Sequence, residues 1–205
     1  MVKGLFIVFD GMDGSGKSEM VKLLHNYLFS KSKSYRILTT REPTNSYYGR
    51  EIRQILASDK NPEENAKKLL ELFIKDREEH VNEAIIPFLK KNNGDVNVVI
   101  CDRYYYSTIA FQAAQGLDIK MLIRENQKFP RPNIAFIMDL KPEIALERIK
   151  GREKEKFETI GFMKELRNKF LDMPQNLDDN IKVVDASKGM NEVFEKIKVE
   201  IDKIL

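Results

Sequence analysis

Cysteine is almost missing from this chain. Cys101 is the single cysteine in 205 residues, which excludes an intramolecular disulfide framework and a cysteine-rich zinc site. Two histidines leave little for a histidine-based metal centre. Long apolar runs are absent too: the longest, 5–9 and 134–138, have five residues, where a bilayer-spanning helix needs about 20. Lys3 leads straight into a short apolar stretch with no small-residue cleavage site, so no secretory signal and a cytoplasmic location are expected. Neither sign of charge dominates. Lys and Arg number 35 against 32 Asp and Glu, a net +3, which gives no reason to expect a nucleic-acid binder. There is no repeat and no Pro/Gly/Ser linker. What remains, 42% apolar and 33% charged residues, suits one soluble domain over 1–205 with one substantial core and no membrane partner.

Short β-branched runs alternate with longer helical patterns. The patterning predicts strands over 5–9, 35–39, 96–101, 134–139 and 181–184. Three of them are apolar almost throughout, as strands buried on both faces of a parallel sheet are. Helices are predicted over 17–29, 62–91, 105–115, 142–150, 160–171 and 190–205. Pro87 is expected to kink or end the long one, and Pro142 fits a first helical turn. The stretch 151–156 is almost all charged and predicts an exposed flap over about 148–158. The alternation implies an α/β fold, a doubly wound five-stranded parallel sheet flanked by helices.

Gly11-Met12-Asp13-Gly14-Ser15-Gly16-Lys17-Ser18 matches G-x-x-x-x-G-K-[ST], between an apolar strand and a helix. Glycines let backbone N–H groups turn inward on phosphate oxygens. The helix that follows adds the positive end of its dipole. Lys17 is expected to reach the β/γ-phosphates of a nucleoside triphosphate and the Ser18 hydroxyl to ligate Mg²⁺. Asp102 ends the apolar run 98–101, where P-loop proteins place an acid that helps hold Mg²⁺. Taken alone, Asp102 is equally well a cap for the next helix. Cys101 reads as a small buried hydrophobe.

A guanine-reading Asn-Lys-x-Asp is missing; Asn168-Lys169-Phe170-Leu171-Asp172 has the wrong spacing. Transfer of a phosphoryl group to a small acceptor needs a second anion site and cations around the transferred group. Arginine suits both tasks. Candidates are Arg41 after the second strand, Arg77 on the long helix, Arg103 beside Asp102, and Arg148, Arg152, Lys154 and Lys156 around the flap. Phe73 and Arg77, four apart, share a helix face. Alone, Phe73 is as readily a core residue, Arg77 a solvated helix charge, Arg103 half of a structural ion pair and the flap a set of solvated charges. Tyr104, Tyr105 and Tyr106 read as packing or interface residues. His25 and His80 match no catalytic role.

Four motifs carry a more specific resemblance: 9–18 around the phosphate loop, Thr40-Arg41-Glu42-Pro43, Phe73 with Arg77, and Asp102-Arg103-Tyr104 followed by 107–112. With 147–152 and Asp185-Ala186-Ser187, they make the chain resemble, over essentially its whole length, the thymidylate kinase family of the nucleoside monophosphate kinase superfamily. The resemblance implies a P-loop kinase fold with a LID flap and the reaction ATP + dTMP ⇌ ADP + dTDP with Mg²⁺. It implies ATP and dTMP as ligands and a homodimer.

By the same resemblance, Asp13 meets the acceptor sugar's 3′-hydroxyl or its metal. Arg41 and Arg103 hold the acceptor phosphate, Phe73 stacks on thymine and Arg77 hydrogen-bonds the base. Thr108 and Gln112 surround base and sugar, and Phe111, where relatives usually have Tyr, presses near C2′. The loop residues Gly11 to Ser18 with Arg148 bind ATP. Lys17, Arg103 and Arg152 take the catalytic roles, and Ser18 and Asp102 hold the metal. The sequence departs from many relatives in two places. Thr44-Asn45-Ser46 replaces Gly-Gly-Thr after Pro43, and the phosphate loop contains no arginine, so the transition-state cation is expected from the flap, Arg152 before Arg148. Glu155-Lys156 stands where Asp-Arg is common. The alternatives are a kinase for another deoxynucleoside monophosphate or a deoxynucleoside, and a nucleotide-binding regulatory module without turnover.

Overall fold

The structure, a computed structural model, describes residues 4–58, 65–91, 94–150 and 159–205. Five strands form one parallel sheet in the order β2-β3-β1-β4-β5: β1 Leu5–Asp10, β2 Tyr35–Arg41, β3 Val96–Asp102, β4 Ile134–Asp139 and β5 Ile181–Asp185. All neighbours run parallel, and the strand expectations hold, β4 with its bounds unchanged and the other four ending one or two residues later. The apolar runs of β1, β3 and β4 are buried nearly throughout. The outer strands β2 and β5 are half-buried and alternate more.

Helices α1 Lys17–Lys31, α2 Tyr47–Ser58, α3 Ala66–His80, α4 Ile86–Leu89, α5 Tyr105–Ala114, α6 Ile119–Asn126, α7 Pro142–Arg148, α8 Ile160–Leu171, α9 Met173–Asn176 and α10 Met190–Asp202 flank the sheet. α1 packs on α10, and α5 packs on α3, α6 and α8. The fold is that of a P-loop kinase. Among the described residues no helix is long and apolar enough to cross a membrane.

The long helix expected over 62–91 resolves differently. α3 ends at His80, a π turn follows over Val81–Ile85, and α4 carries Pro87 in its first turn. Proline lacks an N–H, and its ring collides with the carbonyl four residues back. The widened turn answers this: the Ile86 N–H bonds to the Val81 carbonyl, five residues away. The chain therefore stays helical past Pro87 instead of stopping there.

Three helices were not expected: α2, α6 and the short α9. Ser46 caps α2, its Oγ accepting the Gly49 N–H at 3.1 Å, and Ile52 is fully buried against Leu69 and Leu72 of α3. Asp118 caps α6 by accepting the Met121 N–H at 2.7 Å. α2 crowds the loop before it so closely that a Cβ at Gly49 would stand 2.0 Å from the Thr44 carbonyl oxygen. Gly49→Ala should therefore cost about 1–3 kcal/mol, the range for overpacking, seen as a lower urea midpoint. An unchanged midpoint would mean that the 44–49 corner gives way freely.

Candidate active site

Parallel register gathers the chemistry at one sheet edge. Phe9 stands opposite Asp102 on β3, and Asp102 opposite Arg41 on β2. The loop after β1, the acid ending β3 and the first candidate arginine thus leave the sheet side by side, at the carboxyl ends where open α/β sheets bind ligands.

The phosphate loop has the conformation its glycines permit. Gly11, Gly14 and Gly16 all take positive φ, and a Cβ at Gly11 would meet the Met138 carbonyl oxygen at 2.7 Å. Lys17 folds back over the loop, its Nζ donating to the Met12 carbonyl at 2.8 Å. Ser18 Oγ donates to Asp102 Oδ2 at 2.6 Å. This hydroxyl and carboxylate are the hard oxygen donors that Mg²⁺ takes when most of its shell is water and substrate phosphate. No cluster of three or more His, Cys, Asp or Glu with metal-binding geometry occurs among the described residues. Ser15 Oγ is buried with no hydrogen-bond partner among the described residues. Arg148 on α7 reaches the carbonyls of Gly14 at 3.4 Å and Ala186 at 3.1 Å, beside the loop.

Asp10 ties this loop to the turn after β3. Its carboxylate, fully buried, accepts from the N–H groups of Gly11 at 2.8 Å, Tyr104 at 3.0 Å and Ser107 at 2.9 Å, and from Ser107 Oγ at 2.5 Å. Burial raises its pKa, and Arg103 and these donors pull the other way. Arg103 sits in the left-handed region, φ 71°, a strained conformation for a side chain of its size. Its Nη1 donates to the Gly11 carbonyl at 2.9 Å and to Ser107 Oγ at 2.7 Å, and Nη2 pairs with Asp13. Burial opposes its charge, but Asp13, Asp10 and Asp102 outweigh that and raise its pKa.

Next to the loop lies a cavity of about 250 Å³. Its lining includes Met12 and Asp13 of the phosphate loop, the cations Arg41 and Arg103, and Phe73, Arg77, Thr108 and Phe111. Of the expected acceptor residues, Gln112 does not line it. That side chain is fully buried, donates to Gln115 Oε1 at 3.2 Å, and leaves its own Oε1 unpartnered among the described residues. Thr108 does line it, but its hydroxyl accepts from Arg77 Nη2 at 2.9 Å. Arg152, Lys154, Glu155 and Lys156 lie outside the described residues.

Several site residues went unnoticed in the sequence. Arg53 of α2 lines the cavity and donates to the carbonyls of Pro43 at 2.7 Å and Thr44 at 2.8 Å. Asp76, beside Arg77, accepts from the Thr44 N–H, Thr44 Oγ1 and Ser46 Oγ at 2.8, 2.6 and 2.7 Å, so the unusual Thr-Asn-Ser segment is anchored by a buried acid. Glu42, in a cis peptide with Pro43, pairs with Arg77 at 2.8 Å and with His80 at 3.0 Å. The nearest sequence signals were Glu42 inside a quoted motif and an acid beside Arg77.

A loop shaped for a triphosphate, with a cation-cornered cavity sharing its wall, defines a P-loop phosphotransferase that works between two phosphate-bearing ligands. The comparison with known proteins narrows the class: the family model described as thymidylate kinase matches residues 9–197, and the chain belongs to the thymidylate kinase family. It is 37% identical over 205 residues to the probable thymidylate kinase of Archaeoglobus fulgidus, covering 98% of this chain and 96% of that protein. It is 36% identical to the probable thymidylate kinase of Pyrococcus horikoshii, covering 96% and 95%. It is 35% identical to the thymidylate kinase of Desulfotalea psychrophila, covering 98% and 96%.

Lys17 yields a pH prediction. Burial pulls its pKa from 10.5 to about 8, Arg103 adds to the fall, and Asp13, Asp102 and Asp10 oppose it. Between these values the unfolded chain holds more protons at this group than the empty folded protein, so its contribution to stability rises with pH across that window. A bound polyphosphate favours the charged form and reverses the shift. ATP binding at a pH of about 8.5 should therefore take up a fraction of a proton, read as a calorimetric heat that varies with buffer ionisation enthalpy. Lys17→Met should abolish the dependence; wild-type heats independent of buffer would contradict it.

Proposed function

We propose that the chain transfers the γ-phosphoryl group of ATP to the 5′-phosphate of dTMP, giving ADP and dTDP. One observation carries this reading: the cavity holding Phe73, Arg77 and Arg103 is walled by Met12 and Asp13 of the phosphate loop itself. An acceptor placed there lies against the donor's phosphates. A nucleoside without a phosphate would bring no anion to Arg41 and nothing to draw Arg103 away from Asp13, which favours a monophosphate acceptor.

In this mechanism the protein contributes position and charge more than covalent chemistry. Backbone N–H groups of the loop and Lys17 hold the β- and γ-phosphates. Arg41 and Arg103 grip the acceptor phosphate, Phe73 stacks on the base, Arg77 donates to it, and Phe111 crowds the sugar at C2′. To bind phosphate, Arg103 exchanges part of its pairing with Asp13, and the freed carboxylate can meet the sugar hydroxyl. Ser18 and Asp102 would hold Mg²⁺, which when bound draws charge off the transferred group. No general base is required, because the attacking phosphate oxygen is already ionised near neutral pH. Arg148, beside Gly14, serves the ATP side.

A coupled assay of ADP release with a panel of nucleoside monophosphates tests the reading. Turnover is expected with dTMP and not with purine acceptors; absence of acceptor-dependent release would favour the non-catalytic binding module. Phe73→Ala should raise the KM for dTMP by about 5–150-fold, the equivalent of a lost base–aromatic stack of about 1–3 kcal/mol, with the KM for ATP little changed. An equal loss for both substrates would move Phe73 out of the acceptor pocket.

A further inference from the structure

A guanidinium has five N–H groups in one plane, and in Arg77 their destinations can be followed one by one. Nε donates to Glu42 Oε2 at 2.9 Å, and Nη2 reaches the same oxygen at 2.8 Å and Thr108 Oγ1 at 2.9 Å. Nη1 donates to Asn126 Oδ1 at 2.7 Å. Three hydrogen bonds and one ion-pair contact engage Nε, Nη2 and one N–H of Nη1 with described residues, and the second N–H of Nη1 is left over. Arg77 lines the acceptor cavity although its residue surface is only 1% exposed.

The partners are themselves held. Glu42 is 2% exposed. Its other oxygen meets His80 Nδ1 at 3.0 Å, and His80 Nε2 lies 2.7 Å from Thr40 Oγ1. Asn126 Nδ2 donates to the Leu122 carbonyl at 2.8 Å, which orients its oxygen towards Arg77. The rings of Tyr104 and Phe129 stand 5.2 and 5.5 Å from the guanidinium carbon. Among the described residues these partners hold the fork from both ends.

We propose that Glu42 is a positioning residue for acceptor choice: it orients the Arg77 fork so that a single N–H faces the cavity, which admits a pyrimidine with a carbonyl at C4 and rejects one with an amino group there. The inference rests on the acceptor reading given above and adds to it the residue through which Arg77 selects. A carbonyl oxygen completes the guanidinium's last bond. An amino group meets a donor with a donor, leaving both buried and unpaired, the arrangement by which a polar pocket discriminates most strongly. Without the carboxylate, the fork is no longer pinned and Thr108 Oγ1, an acceptor for an amino group, is released.

The test compares dTMP, dUMP and dCMP as acceptors for wild type, Glu42→Gln and Glu42→Asp. Glu42→Gln should raise the KM for dTMP about tenfold or more and lower the preference for dTMP over dCMP, in kcat/KM, by about tenfold, with the KM for ATP within about threefold. dUMP should follow dTMP, and Glu42→Asp should recover part of the preference. A Glu42→Gln enzyme that is folded and weaker but has an unchanged dTMP/dCMP ratio overturns the proposal, because a merely structural role lowers both acceptors alike. If Glu42→Gln does not fold, Asn126→Ala decides: it keeps the ion pair and frees a second Nη1 donor. A shifted ratio then supports the mechanism and an unshifted one overturns it. Wild type that turns over none of the three pyrimidines sinks the acceptor reading, and this proposal with it.

Discussion

One buried carboxylate carries much of the site's geometry. Asp10 accepts from the start of the phosphate loop on one side and from Tyr104 and Ser107 on the other. The two anion-binding elements hang from different strands, and a sheet register alone leaves their turns free to drift. A charge that must satisfy all its bonds inside the core does not allow such drift, since losing even one is expensive in a low-dielectric interior. The Arg103 N–H on the Phe9 carbonyl, at 2.8 Å, and the Glu42 N–H on the Asp102 carbonyl, at 3.1 Å, extend the same linkage to β2.

The second cluster, around Arg77, follows a different logic. Burying an ion pair is costly, and an apolar replacement of equal volume is often as stable. The pair Glu42–Arg77 is therefore poor support for fold stability and better support for a site that needs a donor held still. Asp76 shows the same economy one residue earlier, holding the Thr44–Ser46 corner with three bonds while Arg77 turns inward. Helix α3 thus buries leucines against α2 and, nearer its end, Asp76, Arg77 and His80 against polar partners.

The sheet was legible because a strand buried on both faces writes an uninterrupted apolar run, and β1, β3 and β4 do so. The phosphate loop was legible because its glycines and lysine are local. α2 and α6 were not. α6 has only eight residues, too short for its period to stand out, although Leu122 with the half-buried Ile119, Met121 and Ile123 gives it an apolar face. α2 follows Thr44-Asn45-Ser46, polar residues that read as a loop, although Ser46 is in fact its cap. Arg77, taken alone, read as a solvated helix charge, since periodicity cannot separate a charge in water from one whose partner, Glu42, lies 35 positions away. Gln112 shows the converse: a residue can match a motif and still turn its amide away from the cavity. The π turn escaped notice because the proline rule says where a helix is disturbed and not that the disturbance is absorbed one turn earlier.

Arg103 adds a consequence of its own. Its left-handed backbone would suit glycine better, by about 1–2 kcal/mol for a residue with a Cβ. The molecule tolerates that penalty only because the guanidinium is wanted at that spot. Glycine there would ease the backbone but leave buried Asp10 and the Asp13 carboxylate without this cation, so the strained turn and the charges around it stand or fall together.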